Sequence, residues 1–203
     1  SMKELVVTEE MVMKQLNNMK SNKAVGTNGL GSSYLKEVRV ALGMPLCLLL
    51  QKSLDTGEVP LQWEANVTAI YKKKGKKSEP GNYRPVSLTS PLGKLCERII
   101  RDVLVEYLEV NNLIGNSQHG FRKQRSCLTN LLEFFDDVNS YIDQGIPVDV
   151  VYLDFAKAFD KVPHKRLIFK LRKLNINEKI VRWIESWLSG RRQRVVIEGI
   201  ESG

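Results

Sequence analysis

The residue with the clearest chemical potential is Asp154, which follows a run of apolar and β-branched residues in the segment 150–164, VVYLDFAKAFDKVPH. A buried carboxylate without a partner is costly, so this residue needs a cation, a metal ion or exposure to water. Carboxylate oxygens suit Mg²⁺, which usually takes one or two of them and completes its coordination with water and phosphate oxygens. The alternative is structural, an aspartate that ends a strand and caps the following turn.

Positive charge is the second chemical signal. Lys and Arg number 31 against 23 Asp and Glu, which gives a net charge of +8. Such a surplus favours a polyanionic partner, because phosphates that are neutralised release condensed counterions. The lysine-rich segment 72–77 carries part of this charge. A basic surface without a partner is the alternative.

Cysteine spacing and hydropathy argue against several classes of protein. Cys47, Cys96 and Cys127 are an odd number without a CxxC pair, which argues against a zinc site or a disulfide framework. This usage fits a reducing, intracellular compartment, the nucleus or the cytoplasm. No apolar run reaches the roughly 18 residues of a bilayer-spanning helix, so we expect no membrane partner.

Hydrophobic spacing predicts the elements that must position these residues, and Thr8, Ser126 and Asn177 are predicted helix caps. The run 148–155, which carries Asp154, is predicted to be a central strand covered on both faces. Pro85 confines its strand to an edge or a bulge. The fold class is α+β, helix-rich with a small antiparallel sheet. The predicted helices cover about residues 8–20, 33–56 with a kink at Pro45, 92–108, 126–145, 164–173 and 178–188, and the strands 67–71, 83–88, 148–155 and 194–200.

Five segments resemble, in the same order, the motifs of reverse transcriptases from non-LTR (LINE-type) retrotransposons. Together they cover about residues 20–200, and five motifs in order are far more specific than one. The segments are SNKAVGTNGL (21–30), similar to the leading basic motif; QWEANVTAIYKKKGKK (62–77) and NYRPVSLTSPLGKLCERII (82–100), similar to the two fingers strands and the helix behind them; QHGFRKQRSCLTNLL (118–132), similar to the segment before the palm; and 150–164, similar to the first palm motif.

The resemblance implies the right-hand polymerase fold, divided into an N-terminal helical segment (1–20), fingers (21–146) and an incomplete palm (147–203). Asp154 would be one of three carboxylates that hold two Mg²⁺ ions for nucleotidyl transfer, and the main-chain carbonyl of Phe155 would help to hold one of them. Phe159 would lie against the nucleotide sugar. An ordinary core aromatic is the alternative for Phe159.

The resemblance also implies the residues that contact nucleotide and nucleic acid. Arg84 would bind the triphosphate through its guanidinium fork, together with one of Lys72, Lys73 and Lys74. RNA template, DNA primer and a deoxynucleoside triphosphate would be the partners. The segment that faces template and primer would contribute Gln118, Gly120, Phe121, Arg122 and Arg125.

Two positions, Asn28 and Gln124, depart locally from the family pattern, and nothing between Asp160 and Gly203 resembles the family's later aspartate pair. We therefore expect the 203 residues alone not to hold two Mg²⁺ ions stably and to be inactive as a polymerase. A non-enzymatic relic that binds nucleic acid or a protein partner is the alternative. We also expect the strand 148–155 to be covered by a homodimer contact or by residues 194–200.

Overall fold

The computed structural model describes residues 1–20, 31–60, 63, 65–189, 193–197 and 200–201. Within them the chain divides into two compact units: unit 1 comprises Ser1–Val105 and His164–Gly203, and unit 2 comprises Glu106–Pro163. The described elements are α1 (Glu9–Asn17), α2 (Ser32–Glu37), α3 (Arg39–Thr56), β1 (Ala65–Tyr71), β2 (Tyr83–Thr89), α4 (Pro91–Val110), α5 (Cys127–Asp143), α6 (His164–Lys173), α7 (Glu178–Leu188), β3 (Gln193–Ile197) and β4 (Ile200–Glu201).

The first helices of unit 1 confirm one sequence prediction and correct another. The Thr8 side chain caps α1 as predicted, because it accepts a hydrogen bond from the Met11 N–H. The single helix predicted over 33–56 is wrong: the chain breaks at Val38, between α2 and α3, and Pro45 lies inside α3, where the kink stays a prediction. The Arg39 side chain donates to the carbonyl of Lys36 at 2.7 Å, which satisfies an acceptor near this break.

Unit 1 contains a four-stranded sheet in the order β2-β1-β3-β4. Strands β1 and β2 form the predicted antiparallel hairpin, with Tyr71 opposite Tyr83. Strand β2 is an edge strand, which accommodates Pro85 because proline has no N–H to donate. The sheet is mixed and not purely antiparallel, since β3 pairs with β1 in parallel and with β4 antiparallel.

The core of unit 1 brings together helices that are distant in sequence. Trp183 on α7 is 1 % exposed, and its Nε1–H donates to Ser53 Oγ on α3 at 3.0 Å. Trp187 stacks on Trp183 with a centroid separation of 5.3 Å and donates to Glu97 on α4. Among the described residues no helix is long and apolar enough to cross a membrane. The most deeply buried apolar side chains of this core are Val12, Leu16, Leu35, Leu50, Leu54, Leu95, Ile180 and Val181.

Unit 2 contains α5, whose start agrees with the sequence prediction. The Ser126 side chain accepts from the Thr129 N–H at 3.1 Å, and Thr129 Oγ1 accepts from the Ser126 N–H at 2.8 Å. None of the residues of α5 is buried. Six of its apolar side chains are at least half exposed: Leu128, Leu131, Leu132, Phe135, Tyr141 and Ile142.

The predicted central strand 148–155 is wrong. These residues lack regular secondary structure and are largely exposed, with Leu153 at 89 % and Phe155 at 85 %. A strand requires a neighbour for its backbone hydrogen bonds, and no described strand pairs with this segment. The expected cover by residues 194–200 is also wrong, because β3 pairs with β1 and β4. The homodimer contact stays a prediction.

Candidate functional site

The lysine-rich turn between β1 and β2 is an ordered structure held by its own polar groups. Asn82 Nδ2 donates to the carbonyl of Lys76 at 2.8 Å, and the hydroxyl of Tyr83 donates to the carbonyl of Lys77 at 2.8 Å. Gly75 has a φ of 79°, in the left-handed region that favours glycine. The turn is therefore fixed without using most of its ammonium groups.

The three candidate triphosphate lysines differ in their contacts. Lys72 Nζ donates to the carbonyl of Gly81 at 2.9 Å, so its ammonium contributes to the turn itself. Lys73 and Lys74 are exposed and have no ion-pair or hydrogen-bond partner among the described residues. Of the three candidate lysines, these two have ammonium groups that can bind an external anion.

Arg84 lies on the same hairpin, close to the turn. It pairs with Ile70 across the β1–β2 ladder, one register step from the Tyr71–Tyr83 pair that precedes the turn. Arg84 is exposed and has no partner in the described part of the chain. The hairpin therefore carries Arg84, Lys73 and Lys74, three cations without a partner among the described residues, on one ordered element.

Asp154 lies in the irregular, exposed segment of unit 2 described above. Its carboxylate and the main-chain carbonyl of Phe155 are hard-oxygen donors of the kind that Mg²⁺ prefers. Among the described residues, however, no group of three or more His, Cys, Asp or Glu side chains is arranged to share a metal ion. The expectation that these residues alone do not hold two Mg²⁺ ions stably stays a prediction.

Two of the predicted site aromatics contact each other in unit 2. The rings of Phe121 and Phe159 lie 6.2 Å apart at an interplanar angle of 89°, an edge-to-face arrangement. Both are strongly exposed, Phe121 at 94 % and Phe159 at 81 %. Phe121 also has a φ of 63°, which non-glycine residues adopt at some cost. The pair links the predicted template-facing segment to the predicted palm motif.

Arg122 has a structural partner that the sequence did not reveal. Its guanidinium binds both carboxylate oxygens of Glu109, at 2.9 and 2.6 Å, and donates to the carbonyl of Gly115 at 3.0 Å. This pairing lowers the pKa of Glu109 and raises the pKa of Arg122, chiefly through the shared hydrogen bonds. Arg122 thus ties the loop before α5 to the last turn of α4, while its contact with nucleic acid stays a prediction.

His119 is a second anchor in unit 2 that the sequence analysis missed. It is the one buried residue of this fully described unit, at 5 % exposure. Its Nδ1 lies 2.9 Å from Thr129 Oγ1, and its Nε2 lies 2.7 Å from Glu133 Oε2. Because a carboxylate oxygen only accepts, Nε2 carries a proton and donates to Glu133.

The signal that could have revealed this anchor is the spacing of its partners. Thr129 and Glu133 are four residues apart on α5 and share a helix face. Arg125, a predicted nucleic-acid contact, also lies 3.3 Å from the Glu133 carboxylate. Arg125 and His119 therefore share that carboxylate. Gln118 donates to the carbonyl of Gly120 at 3.1 Å, which shapes the same loop. The predicted leading motif 21–30 lies outside the described residues.

Comparison with known proteins agrees with the resemblance. The family model for reverse transcriptase (RNA-dependent DNA polymerase) matches residues 71–203. The probable RNA-directed DNA polymerase from transposon BS of Drosophila melanogaster is 29 % identical over 81 % of this chain and 18 % of its own length. The RNA-directed DNA polymerase from mobile element jockey of the same organism is 27 % identical over 97 % of this chain and 21 % of its own length.

A third relative is the retrovirus-related Pol polyprotein from type-1 retrotransposable element R2 of Popillia japonica, 31 % identical over 82 % of this chain and 22 % of its own length. The chain thus spans about a fifth of the length of these curated relatives. The family model covers well over half of the chain, and the relatives are polymerases of non-LTR retrotransposons. The chain belongs to the reverse transcriptase family, in its LINE-type branch.

Proposed function

We propose that this chain is the nucleotide- and template-handling part of an RNA-directed DNA polymerase. The observation that carries the proposal is the hairpin, which presents Arg84, Lys73 and Lys74 without internal partners. Unpaired cations on an ordered element suit the triphosphate of an incoming nucleotide, because phosphate oxygens accept charge-assisted hydrogen bonds. The guanidinium fork of Arg84 adds two parallel donors. Matches to proteins named as polymerases support this hypothesis over a non-enzymatic relic.

The proposal assigns residues 1–20 to an N-terminal helical segment, 21–146 to fingers and 147–203 to part of the palm. Reverse transcriptases generally use divalent metal ions. We assign Asp154 and the carbonyl of Phe155 to a Mg²⁺ site that needs carboxylates beyond the described set. Phe159 would lie against the nucleotide sugar, with the template RNA and the primer DNA facing Gln118, Gly120, Phe121, Arg122 and Arg125.

The test is binding of a deoxynucleoside triphosphate with Mg²⁺ to the 203-residue chain, measured by isothermal titration calorimetry. Arg84→Gln should weaken binding about ten- to hundredfold, since a hydrogen bond to a charged group is worth about 1.5–3 kcal/mol. Lys73→Gln combined with Lys74→Gln should weaken binding further, because both ammonium groups are unpaired. Lys52→Gln on α3 removes the same charge from an exposed position outside the hairpin and should leave binding unchanged.

Equal affinity in the wild type and in the Arg84→Gln variant would contradict the assignment of the hairpin. A second measurement addresses catalysis. The 203 residues alone should give no Mg²⁺-dependent primer extension, because the described residues do not assemble three metal-binding side chains. Extension by the purified chain would overturn that part of the proposal and place a complete metal centre within these residues.

A further inference from the structure

Helix α3 in unit 1 is apolar on its exposed side as well as on its buried side. Between Arg39 and Lys52 it carries no charged residue. Helix α7 in the same unit shows the ordinary arrangement, because its exposed positions include Glu178, Arg182 and Glu185. The large apolar side chains that α3 exposes are Val40 at 76 %, Met44 at 49 %, Leu48 at 65 % and Leu49 at 40 %.

Three of these side chains form one continuous row, the α3 stripe. Val40, Met44 and Leu48 follow each other at intervals of four residues, so they share one side of the helix. Single exposed apolar residues are normal on a protein surface, whereas a contiguous apolar patch marks a contact surface. The stripe is about 12 Å long at the helical rise of about 1.5 Å per residue. A second helix can therefore pack along its whole length.

The free charges that flank the α3 stripe are opposite at its two ends. Glu37, at the end of α2, precedes the stripe by three residues, and Lys52 follows it by four. Both are exposed, and neither side chain has a partner in the part of the chain that the structure describes. Two neighbouring charges are engaged within the chain: Arg39 donates to the Lys36 carbonyl, and Asp55 is bound by a lysine of α7.

We propose that the α3 stripe binds the same stripe of a second copy of the chain, with the two helices antiparallel. A twofold axis beside Met44 places Val40 of one copy opposite Leu48 of the other. The same axis brings Glu37 of each copy towards Lys52 of the other, so the ion pair forms twice. A parallel pair would set like charges against each other. The stripe and its end charges are thus complementary to themselves, which identifies a second copy as the partner.

The small size of this contact sets the expected affinity. A single pair of helices buries less than the roughly 1,000 Å² of a stable interface, so we expect a weak, reversible dimer. Analytical ultracentrifugation of the full 203-residue chain over a series of concentrations measures its dissociation constant. The proposal does not rest on the proposed function. Its surface also differs from the homodimer contact predicted for residues 148–155.

Leu48→Lys tests the apolar stripe. It places a charge from each copy in the contact and should raise the dissociation constant about tenfold or more. The thermal midpoint measured at low concentration should stay unchanged, because Leu48 is exposed in the single chain. Leu132→Lys on α5 is the matched control, since Leu132 is 55 % exposed and lies outside the stripe. An equal loss in both variants, or a loss only in Leu132→Lys, would overturn the proposal.

A charge exchange tests the antiparallel orientation. Glu37→Lys alone and Lys52→Glu alone should each raise the dissociation constant about threefold or more, because each sets like charges opposite each other twice. The combined variant has the net charge of the wild type and should return within about twofold of its affinity. A combined variant as weak as the single variants would contradict the proposed pairing.

Disulfide cross-linking gives a second reading of the orientation. The variants are made in a Cys127→Ser background, because the other two cysteines are buried. Met44→Cys should cross-link to itself, since it lies beside the twofold axis. Lys52→Cys should cross-link to Glu37→Cys when the two proteins are mixed, and not to itself. Self-linking of Lys52→Cys would show a parallel pair and overturn the proposal.

The outcomes also separate this proposal from the proposed function. A chain that stays monomeric at every concentration would overturn the dimer and leave the α3 stripe to a partner of another kind. It would not affect the hairpin assignment, because triphosphate binding that depends on Arg84 is measured separately. Loss of triphosphate binding with an intact dimer would have the converse meaning.

Discussion

Unit 1 and unit 2 contain helices with similar hydrophobic spacing but bury them to different extents. In unit 1, α4 buries Leu95, Cys96, Ile99 and Ile100, whereas α5 in unit 2 buries none of its residues. Every buried apolar side chain of the described residues belongs to unit 1. Unit 2 instead relies on polar anchors, His119 with Glu133 and Arg122 with Glu109. Apolar spacing thus indicates that a helix face can be buried. Whether it is buried depends on the elements around it.

The largest effect should come from the core of unit 1. Trp183→Ala removes a fully buried side chain, its stacking on Trp187 and its hydrogen bond to Ser53. We expect a loss of about 3–5 kcal/mol in the free energy of unfolding, as for other large-to-small substitutions of buried aromatics. Urea denaturation followed by circular dichroism measures it. A loss below about 1 kcal/mol would mean that unit 1 does not depend on this core.

The sequence predicts the elements of both units better than their burial. Helix α7 and its cap Asn177, and helix α5 with its cap Ser126, occupy the predicted positions, because caps and spacing act within a few residues. The run 148–155 fails as a strand because strand formation depends on a partner elsewhere in the chain.

The candidate site shows the same limit of sequence-based prediction. The hairpin with Arg84 and the lysine turn could be predicted, because β1 and β2 are adjacent in sequence. The bond between Arg122 and Glu109 spans 13 residues, and that between His119 and Glu133 spans 14. Neither pairing follows a helical or strand spacing across its own length. The four-residue spacing of Thr129 and Glu133 on α5 indicates only that these two partners share a helix face, and not that His119 meets them.

A smaller effect should follow from loss of the His119 anchor. His119→Leu removes the hydrogen bonds to Thr129 and Glu133, which join the loop before α5 to the helix. We expect a loss of about 1 kcal/mol in local stability, a typical net value for such bonds. Amide hydrogen exchange across residues 116–126 should accelerate, while exchange in α7 stays unchanged.

His119→Gln is the matched control for that substitution, because its amide can still donate towards Glu133. It should restore part of the protection that His119→Leu removes. Equal acceleration in both variants would indicate that the shape of the imidazole matters more than its hydrogen bonds.

The Glu109–Arg122 pair should give unit 2 a weaker, pH-dependent loss of local stability that unit 1 does not show. Pairing with Arg122 lowers the pKa of Glu109 in the folded state. The ionised carboxylate therefore stabilises the fold fully above the ordinary glutamate pKa of about 4.3, and this stabilisation is lost as the pH falls through the folded-state pKa. The protection factor of amides near residue 122, which is the exchange rate corrected for its intrinsic pH dependence, should therefore fall as the pH falls through that window. Glu109→Gln should remove this pH dependence.

Unit 1 supplies the internal comparison for the same titration. Arg172 lowers the pKa of Glu178 there through an equivalent hydrogen-bonded pair. Protonation of Glu178 should change exchange in α7 far less, because Ile180, Val181 and Trp183 keep that helix packed. An equal loss of protection in both units would contradict the view that polar anchors dominate only in unit 2.

The smallest effect should come from the exposed stripe of α5. Leu132 is 55 % exposed, and Leu132→Ala should change the free energy of unfolding by less than about 0.5 kcal/mol, as for surface positions generally. The same Leu→Ala change at Leu95, which is 1 % exposed, should cost about 2–5 kcal/mol. Urea denaturation of both variants at two protein concentrations measures the contrast.

A cost above about 1 kcal/mol at Leu132 would show that the stripe is covered in solution. If that cost grows with protein concentration, the cover is a second copy of the chain, which is the predicted homodimer contact.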